Sequence, residues 1–363
     1  MKTALAFVLL LALCAGSANF ARAVCVGPSV NSYGAKGDGH TDDTAAIQSA
    51  INAAASAGGG SVVFNVARYY TTGAFVIPTG VVLCGAVEGP FDVVGVNPAL
   101  TTIAPTLLIT STGGPFITLQ GFGAGVTDLL FHYPNQVGSS ASAPMVYPYT
   151  ILATTPSAAG KVARCTVTNA YNFLDIEVGR FMVQDVFIGA FSIGVNIDHT
   201  YDRTTLRNLV NQVFWDILEG AAYPRPIDTW VLNHGTALVV NDIDAFEMHD
   251  FFAFSRNTGI LLTDSLDTTQ NPPCGYGAGS DIDLDTVQYG IVITASQVAG
   301  YKFTNVDIGA APGLGQAAVQ VRAGGSVPPK IEINGGSQRG TWALGAYPTP
   351  PAGTEMVVVN ILP

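Results

Sequence analysis

Charge is scarce in this sequence: only 11% of its 363 residues are Asp, Glu, Lys or Arg. What charge exists leans acidic, with 15 Lys and Arg against 26 Asp and Glu, a net of −11. That balance argues against a nucleic acid partner, because a phosphate backbone needs a basic surface. It also disfavours a strongly anionic polymer, unless cations or a metal are concentrated locally. Cysteine is nearly absent as well. Cys25, Cys84, Cys165 and Cys274 are scattered without a CxxC pair, which removes a compact cysteine metal site. Those four allow three pairings, and buried free thiols remain equally open. Hairpin signals are sparse, since Asn-Gly and Asp-Gly occur only at Asp38-Gly39 and Asn334-Gly335. A β-sandwich, which needs hairpins, is therefore disfavoured.

Long apolar runs are missing too, except at the start. Lys2 precedes an apolar stretch over residues 4–15, followed by Ala21-Arg22-Ala23. This is the pattern of a secretory signal peptide cleaved after Ala23, and its apolar part is short for a membrane span. The bulky Leu13 before Cys14 weakens a lipoprotein reading. No later run reaches about 18 apolar residues. Residues 1–23 are accordingly expected to be removed, leaving a secreted chain with no membrane span.

What is present is glycine, with 41 residues, together with many short strand-like segments. The stretch NSYGAKGDGHTDDTAAIQSAINAA (31–54) breaks from a glycine-rich loop into an alanine-rich helix. Thr41 or Asp42 can cap that helix, with Asp43 in its first turn. Ala46, Ile47, Ala50, Ile51 and Ala54 share one face. The loop lacks the GK[ST] ending of a phosphate loop and the terminal glutamate of an EF-hand. It reads as an entry turn to an amphipathic capping helix.

Beyond this helix the apolar period shortens to that of strands, with no second helical block. GVTDLLF (125–131), FMVQDVF (181–187), TLRNLV (205–210), FEMHDFF (246–252) and YKFTNVD (301–307) each place a polar residue before an apolar one, and all but the last before an apolar pair. Alignment on that residue gives Asp185, Asn208, Asp250, Asp285 and Asn305, with steps of 23, 42, 35 and 20. These are one or two multiples of a unit of about 20 residues, the mark of a solenoid. A second strand recurs in FLDIE (173–177), GVNID (194–198), GILLT (259–263) and GIVIT (290–294). The expected fold is all-β, a single-stranded right-handed parallel β-helix with an N-terminal amphipathic capping helix. It is read as one domain over residues 24–363, with a cap region at 31–60 and coils over about 61–363.

The segment from YGAKGDGHTDDTAAIQSAINAA to YYTTGAFVIPTGVVLCG, residues 32–85, resembles the N-terminal part of the pectate-lyase-like superfamily. More narrowly it is similar to the "pectate lyase 3" group and to proteins related to family 28 glycoside hydrolases. YPNQ (133–136), DHTYD (198–202), RNL (207–209) and FW (214–215) resemble bacterial members of that superfamily. The resemblance implies a right-handed β-helix and a polysaccharide substrate, without fixing the reaction. Family 28 hydrolases carry NTD, DD, GHG and RIK motifs on successive coils. Here Asn196-Ile-Asp198 is a passable NxD, but no DD follows, and the nearest GHG-like triplet is Asn233-His234-Gly235 without a RIK after it. The family's catalytic residues therefore do not transfer position by position.

The residues themselves supply a candidate. Aligned on their starts, the second strands place Glu177, Asp198, Thr263 and Thr294 in one column, and Asn241 joins if its strand begins at Ala237. Glu177 and Asp198 stand 21 residues apart, one coil. Asp175 and Asn196 form the neighbouring outward pair, with Leu174, Ile176, Val195 and Ile197 facing inward. Strand neighbours lie about 4.8 Å apart and alternate residues about 6.6 Å apart. Glu177 and Asp198 should then be about 5 Å apart, suiting a retaining hydrolase or a shared cation. Asp175 and Asp198, on the diagonal at about 8 Å, suit an inverting pair. In the following turn Tyr201 can stack on a sugar and Arg203 can bind a uronate carboxylate, with His199 and Asp202 beside them. Trp215, next to Asp216, is a further sugar platform, and Asn196 and Asn241 complete the binding set.

Asn241-Asp-Ile-Asp244 and His249-Asp250 lack the spacing of a zinc site, and alternating Asp281, Asp283 and Asp285 read as a solvated strand face. No cofactor is expected for a hydrolase; Ca²⁺ enters only with a lyase. The composite expectation is a secreted polysaccharide-cleaving enzyme, hydrolase before lyase, acting as monomer or homotrimer. A non-catalytic glycan-binding or surface β-helix is the rival from another class.

Overall fold

The computed structural model of the chain describes residues 25–136, 142–154, 159–212, 225–267 and 273–362. Residues 1–23, read as a signal peptide, and the pair Trp215 and Asp216 lie outside them. Among the described residues no helix is long and apolar enough to cross a membrane.

The described strands form a right-handed parallel β-helix in which each coil visits three sheets in a fixed order. Gly60–Phe64, Val81–Gly85, Gly125–Thr127 and Lys161–Ala163 build the first sheet. Ala67–Thr71, Pro105–Ile109 and Leu130–His132 follow in the second. Phe75–Ile77, Ile117–Leu119 and Tyr149–Ala153 make the third. Later strands lengthen until Met182–Ile197, Phe246–Leu262 and Gly277–Ile293 each run through all three sheets.

Stacking of like on like fills the interior. In the third sheet Ile151, Leu174, Val195, Leu238, Ile260, Ile291 and Val319 are in register from coil to coil, and all are buried. Each such side chain contributes roughly 1.5–3 kcal/mol by leaving water. The residues two places on, Ile176, Ile197, Val240, Leu262 and Ile293, repeat the pattern. Because side chains alternate, the residues between these columns must point outward.

The sharp bend between first and second sheets has its own column. Asp128, Arg164, Asp185, Asn208, Asp250, Asp281, Asn305 and Asn360 all have φ between 50° and 61°. Asn and Asp tolerate this left-handed region better than other side chains, which explains why they dominate here. Neighbouring coils tie the bends together: the Asn208 amide donates to Asp185 and the Asn305 amide to Asp281, both at 2.7 Å. The repeat expected from sequence follows this bend with one correction. Asp281, not Asp285, occupies it, because three aspartates at alternate positions left the register ambiguous. Asp285 instead faces Arg339 at 3.2 Å.

The helix α1 (Thr44–Ser56) buries Ile47, Ala50, Ile51 and Ala54 in the main core beside Val30, Val62 and Phe64. Its acids differ in detail from expectation. Asp42 accepts from the Thr44 amide at 3.0 Å, whereas Asp43 turns back to the amides of Lys36 and Gly37 at 2.6 and 3.0 Å. A second helix, α2 (Pro226–His234), also departs from the expected absence of further helix. Nine residues are too few for an apolar period to stand out, but proline at its start and the buried Arg225–Asp228 pair at 2.7 Å set its N-terminus. Cys25 and Cys84 form a disulfide, while Cys165 and Cys274 are free and buried.

Candidate active site

The outward face of the third sheet begins with hydrophobic or neutral residues and then turns acidic over two coils. Backbone register places Leu152, Asp175, Asn196 and Val239 side by side. Two positions on, hydrogen bonds from the amides of Glu177, Asp198, Asn241, Thr263 and Thr294 to the preceding coil continue the ladder. The column read from sequence is thus a physical column, including Asn241.

Its side chains are bonded along the solenoid axis. The Asn241 amide donates to Asn196 at 2.9 Å, and the Asn196 amide donates to Asp175 at 2.7 Å. Thr154 donates to Glu177 at 3.3 Å, and Thr294 donates to Thr263 at 2.7 Å. Asp198 is held as an acceptor: one oxygen receives the amides of His199 and Asp242 at 2.9 and 3.3 Å, the other the Ser265 hydroxyl at 3.0 Å. His199 sits between two carboxylates, 3.4 Å from Asp198 through Nδ1 and 3.3 Å from Asp267 through Nε2.

These neighbours act on acidity. Burial lifts the Asp175 carboxyl to about 6, the Asn196 bond opposes this, and the charges of Glu177 and Asp198 push the same way as burial. Asp242 is also raised to about 6, first by burial and then by Asp198. The phenol of Tyr149, largely buried, is pushed up by burial and by Asp175, Glu177 and Asp198. The face therefore combines a carboxyl that holds its proton into the mildly acidic range with a carboxylate fixed as a hydrogen-bond acceptor.

The turn after Asp198 splits between two faces. His199 stays with the acids, whereas Asp202 meets Arg180 at 3.3 Å and Arg203 meets Glu247 of the first sheet at 3.0 Å. Tyr201 is 54% exposed. Tight packing forces this course: a Cβ on Gly179 would meet the Tyr201 carbonyl oxygen at 1.8 Å, so only glycine lets the turn lie on the coil beneath. Asn233-His234-Gly235 stands apart, at the end of α2, where His234 stacks on Trp230 at 4.6 Å.

Sequence reasoning missed several members. Tyr149 lies one coil before the acids, and only coil register reveals it. Ser265 and Asp267 lie two and four residues beyond Thr263 of the column, past the end of its strand, where alternation no longer fixes the direction of a side chain. Trp230, half-buried and stacked on His234, lies 6.1 Å from Tyr171 on the strand that leads to Asp175. Among the described residues, Cys25, Cys84 and Asp128 are the group whose ligand atoms lie within 4.8 Å of one another, and both sulfurs are already in the disulfide.

A parallel β-helix with outward carboxylates on one sheet is the class that fold and site define. Residues 28–104 match the family model described as rhamnogalacturonase A/epimerase, pectate lyase-like. The resemblance carried by residues 32–85 therefore stands. Alginate lyase 7 of Azotobacter vinelandii is 46% identical over 68 residues, 17% of this chain and 8% of that protein. Mannuronan C5-epimerase AlgE5 of the same organism is 53% identical over 45 residues, 12% of this chain and 4% of that protein. The matched stretch is thus a small fraction of either relative. Among solved structures, tailspike protein 2 of Escherichia coli O157:H7 bacteriophage CAB120 superposes with a TM-score of 0.62 at 12% identity, covering 93% of this chain and 43% of that one. Tailspike protein gp49 of Acinetobacter baumannii bacteriophage Fri1, a capsular polysaccharide depolymerase, gives 0.51 at 13%, covering 89% and 62%.

Proposed function

We propose that the chain is a secreted polysaccharide hydrolase whose chemistry takes place on the outward face of the third sheet. Asp175 is the proton donor and Asp198 the general base that activates water. The observation that carries this reading is their pairing: a carboxyl raised to about 6 lies diagonally across one coil from a carboxylate held by Ser265 and two backbone amides. Their backbone positions are about 8 Å apart by register, which leaves room for a water, as inversion requires. The Asn241–Asn196 relay orients the donor, and Glu177 keeps its proton affinity high. Tyr201, 54% exposed, is the ring proposed for sugar stacking. The matched relatives and tailspikes, several named for action on polysaccharides, support the substrate class.

One observation favours a lyase as the second reading. The charges of Asp175, Glu177 and Asp198 all act on the Tyr149 phenol one coil away, and a phenol with an imidazole such as His199 can move a proton at carbon and at the leaving oxygen. A panel of acidic and neutral polysaccharides separates these readings. A hydrolase releases reducing ends alone, whereas a lyase also produces an unsaturated, ultraviolet-absorbing sugar. Cleavage of no polysaccharide by the wild-type chain would leave the non-catalytic glycan binder. Cleavage that survives Asp198→Asn would displace the site.

A further inference from the structure

Outside the acidic face, the first sheet carries a groove with the opposite character. Two cavities of about 290 and 550 Å³ share Arg203 and run along the solenoid axis. Arg180 and Arg207 line one end and Lys302 the other. Four of the chain's 15 Lys and Arg residues thus line one groove, on a protein of net charge −11. The two carboxylates that meet them are already paired: Asp202 with Arg180 at 3.3 Å and Glu247 with Arg203 at 3.0 Å. Arg207 and Lys302 have no ion pair within 4.0 Å among the described residues, although Glu332 stands in register with Lys302 on the next coil. In the adjoining bend Asp185 and Asp281 are taken up by Asn208 and Asn305, and Asp250 lies between them next to His249.

Between the two free cations the groove has polar walls and a low floor. Arg207, His249, Ser280 and Thr304 are in register on successive coils, and Lys302 lies two residues before Thr304 on its strand. Ala278 falls in register between Glu247 and Lys302, so its small side chain leaves that coil open. His249 bridges Ser280 at 2.9 Å and Glu247 at 3.1 Å, which engages both of its ring nitrogens and fixes the ring, so the hydroxyls of Ser280 and Thr304 are the groups left to meet sugar hydroxyls. The Arg207 and Lys302 positions are three coil steps apart and two residues out of register, about 16 Å on the diagonal.

We infer that this groove is a second carbohydrate site, which binds a short carboxylate-bearing oligosaccharide along the axis of the first sheet. Arg207 and Lys302 receive sugar carboxylates at its two ends. The Arg203–Glu247 contact shows a guanidinium–carboxylate geometry already accommodated between them. Ser280 and Thr304 face the sugar hydroxyls. The glycan reading supplies only the ligand class; the site is separate from the carboxylates of the third sheet and carries out no bond cleavage. It holds an acidic chain by a local cation surplus that the whole-chain charge conceals.

The test is titration calorimetry of the full chain with a uronic acid hexamer, its methyl-esterified form and a sulfated hexamer of similar length. Asp198→Asn serves as the background, so that substrate is not consumed. Binding of the uronate hexamer is expected, at least tenfold tighter than its neutral ester, and weakening with added salt. Lys302→Ala and Arg207→Ala should each weaken it several-fold, and together by more than tenfold, with thermal unfolding unchanged. Equal binding of ester and acid, or undiminished uronate binding by the double variant, overturns the site. Tighter binding of the sulfated hexamer overturns the carboxylate assignment. Failure of polysaccharide cleavage with retained uronate binding refutes the enzyme reading alone, and the converse refutes the groove alone.

Discussion

Two outward faces of the same coils, the third sheet and the first, meet solvent with opposite chemistry. On the third, acids crowd together until burial and mutual repulsion lift two carboxyls to about 6. On the first, carboxylates are matched by guanidinium groups, and Glu247 is held below its ordinary range by His249, Arg203 and Arg207. The difference shows how a solenoid separates chemical surfaces. Register fixes which residues share a face, and a single turn sends His199 to one face and Arg203 to the other.

The largest effect should come from Asp198. Asp198→Asn is expected to lower polysaccharide cleavage about 10³-fold, read as reducing ends released, while leaving uronate binding on the first sheet intact. Parallel loss of both would merge the two faces into one site.

Asp175→Asn should cost about 10²-fold and alter the pH dependence. Activity of the wild type is expected to fall as pH rises through about 6, because the donor loses its proton there. The stability consequence has a definite sign. The folded state binds this proton more tightly than the unfolded state, whose carboxyl has the ordinary value of 3.8. The contribution is therefore favourable at low pH and is lost between about 4 and about 6, by up to about 3 kcal/mol. Denaturant unfolding at several pH values should show that slope, and it should flatten in Asp175→Asn. A slope unchanged by the substitution would assign it to another group.

Gly179→Ala tests the turn that divides the faces. The 1.8 Å approach to the Tyr201 carbonyl predicts a loss of roughly 1–3 kcal/mol in stability, with weakened activity on the third sheet. The smallest effect belongs to the bend beside the first sheet. Asn208→Ala, at φ 50°, should cost about 1–2 kcal/mol, with cleavage by the third sheet unchanged. Asn208→Gly should recover most of that loss in thermal unfolding, since glycine adopts this backbone without a clash.

Much of this organisation was legible from residues alone. The alternation in FLDIE and GVNID, one coil apart, located Asp175, Glu177, Asn196 and Asp198 on a shared outward face, because strand period and coil length together leave one arrangement. The alanine-rich segment after residue 43 likewise announced α1 by its apolar stripe. The register of Asp281 was not legible, since GSDIDLD offers three equivalent aspartates and only backbone dihedral angles distinguish the bend. Ser265 and Asp267 escaped for another reason: they fall just past the strand that ends at Leu262, where no period says that the chain folds back over Asp198 and His199.

The sequence by itself determined the solenoid, its repeat and the acidic column, because all three follow from local periodicity. Tertiary structure alone decided which loops close over that column, where Arg203 ends up and which carboxyl keeps its proton. Those outcomes depend on burial and on distances between residues far apart in the chain, and no local pattern encodes either.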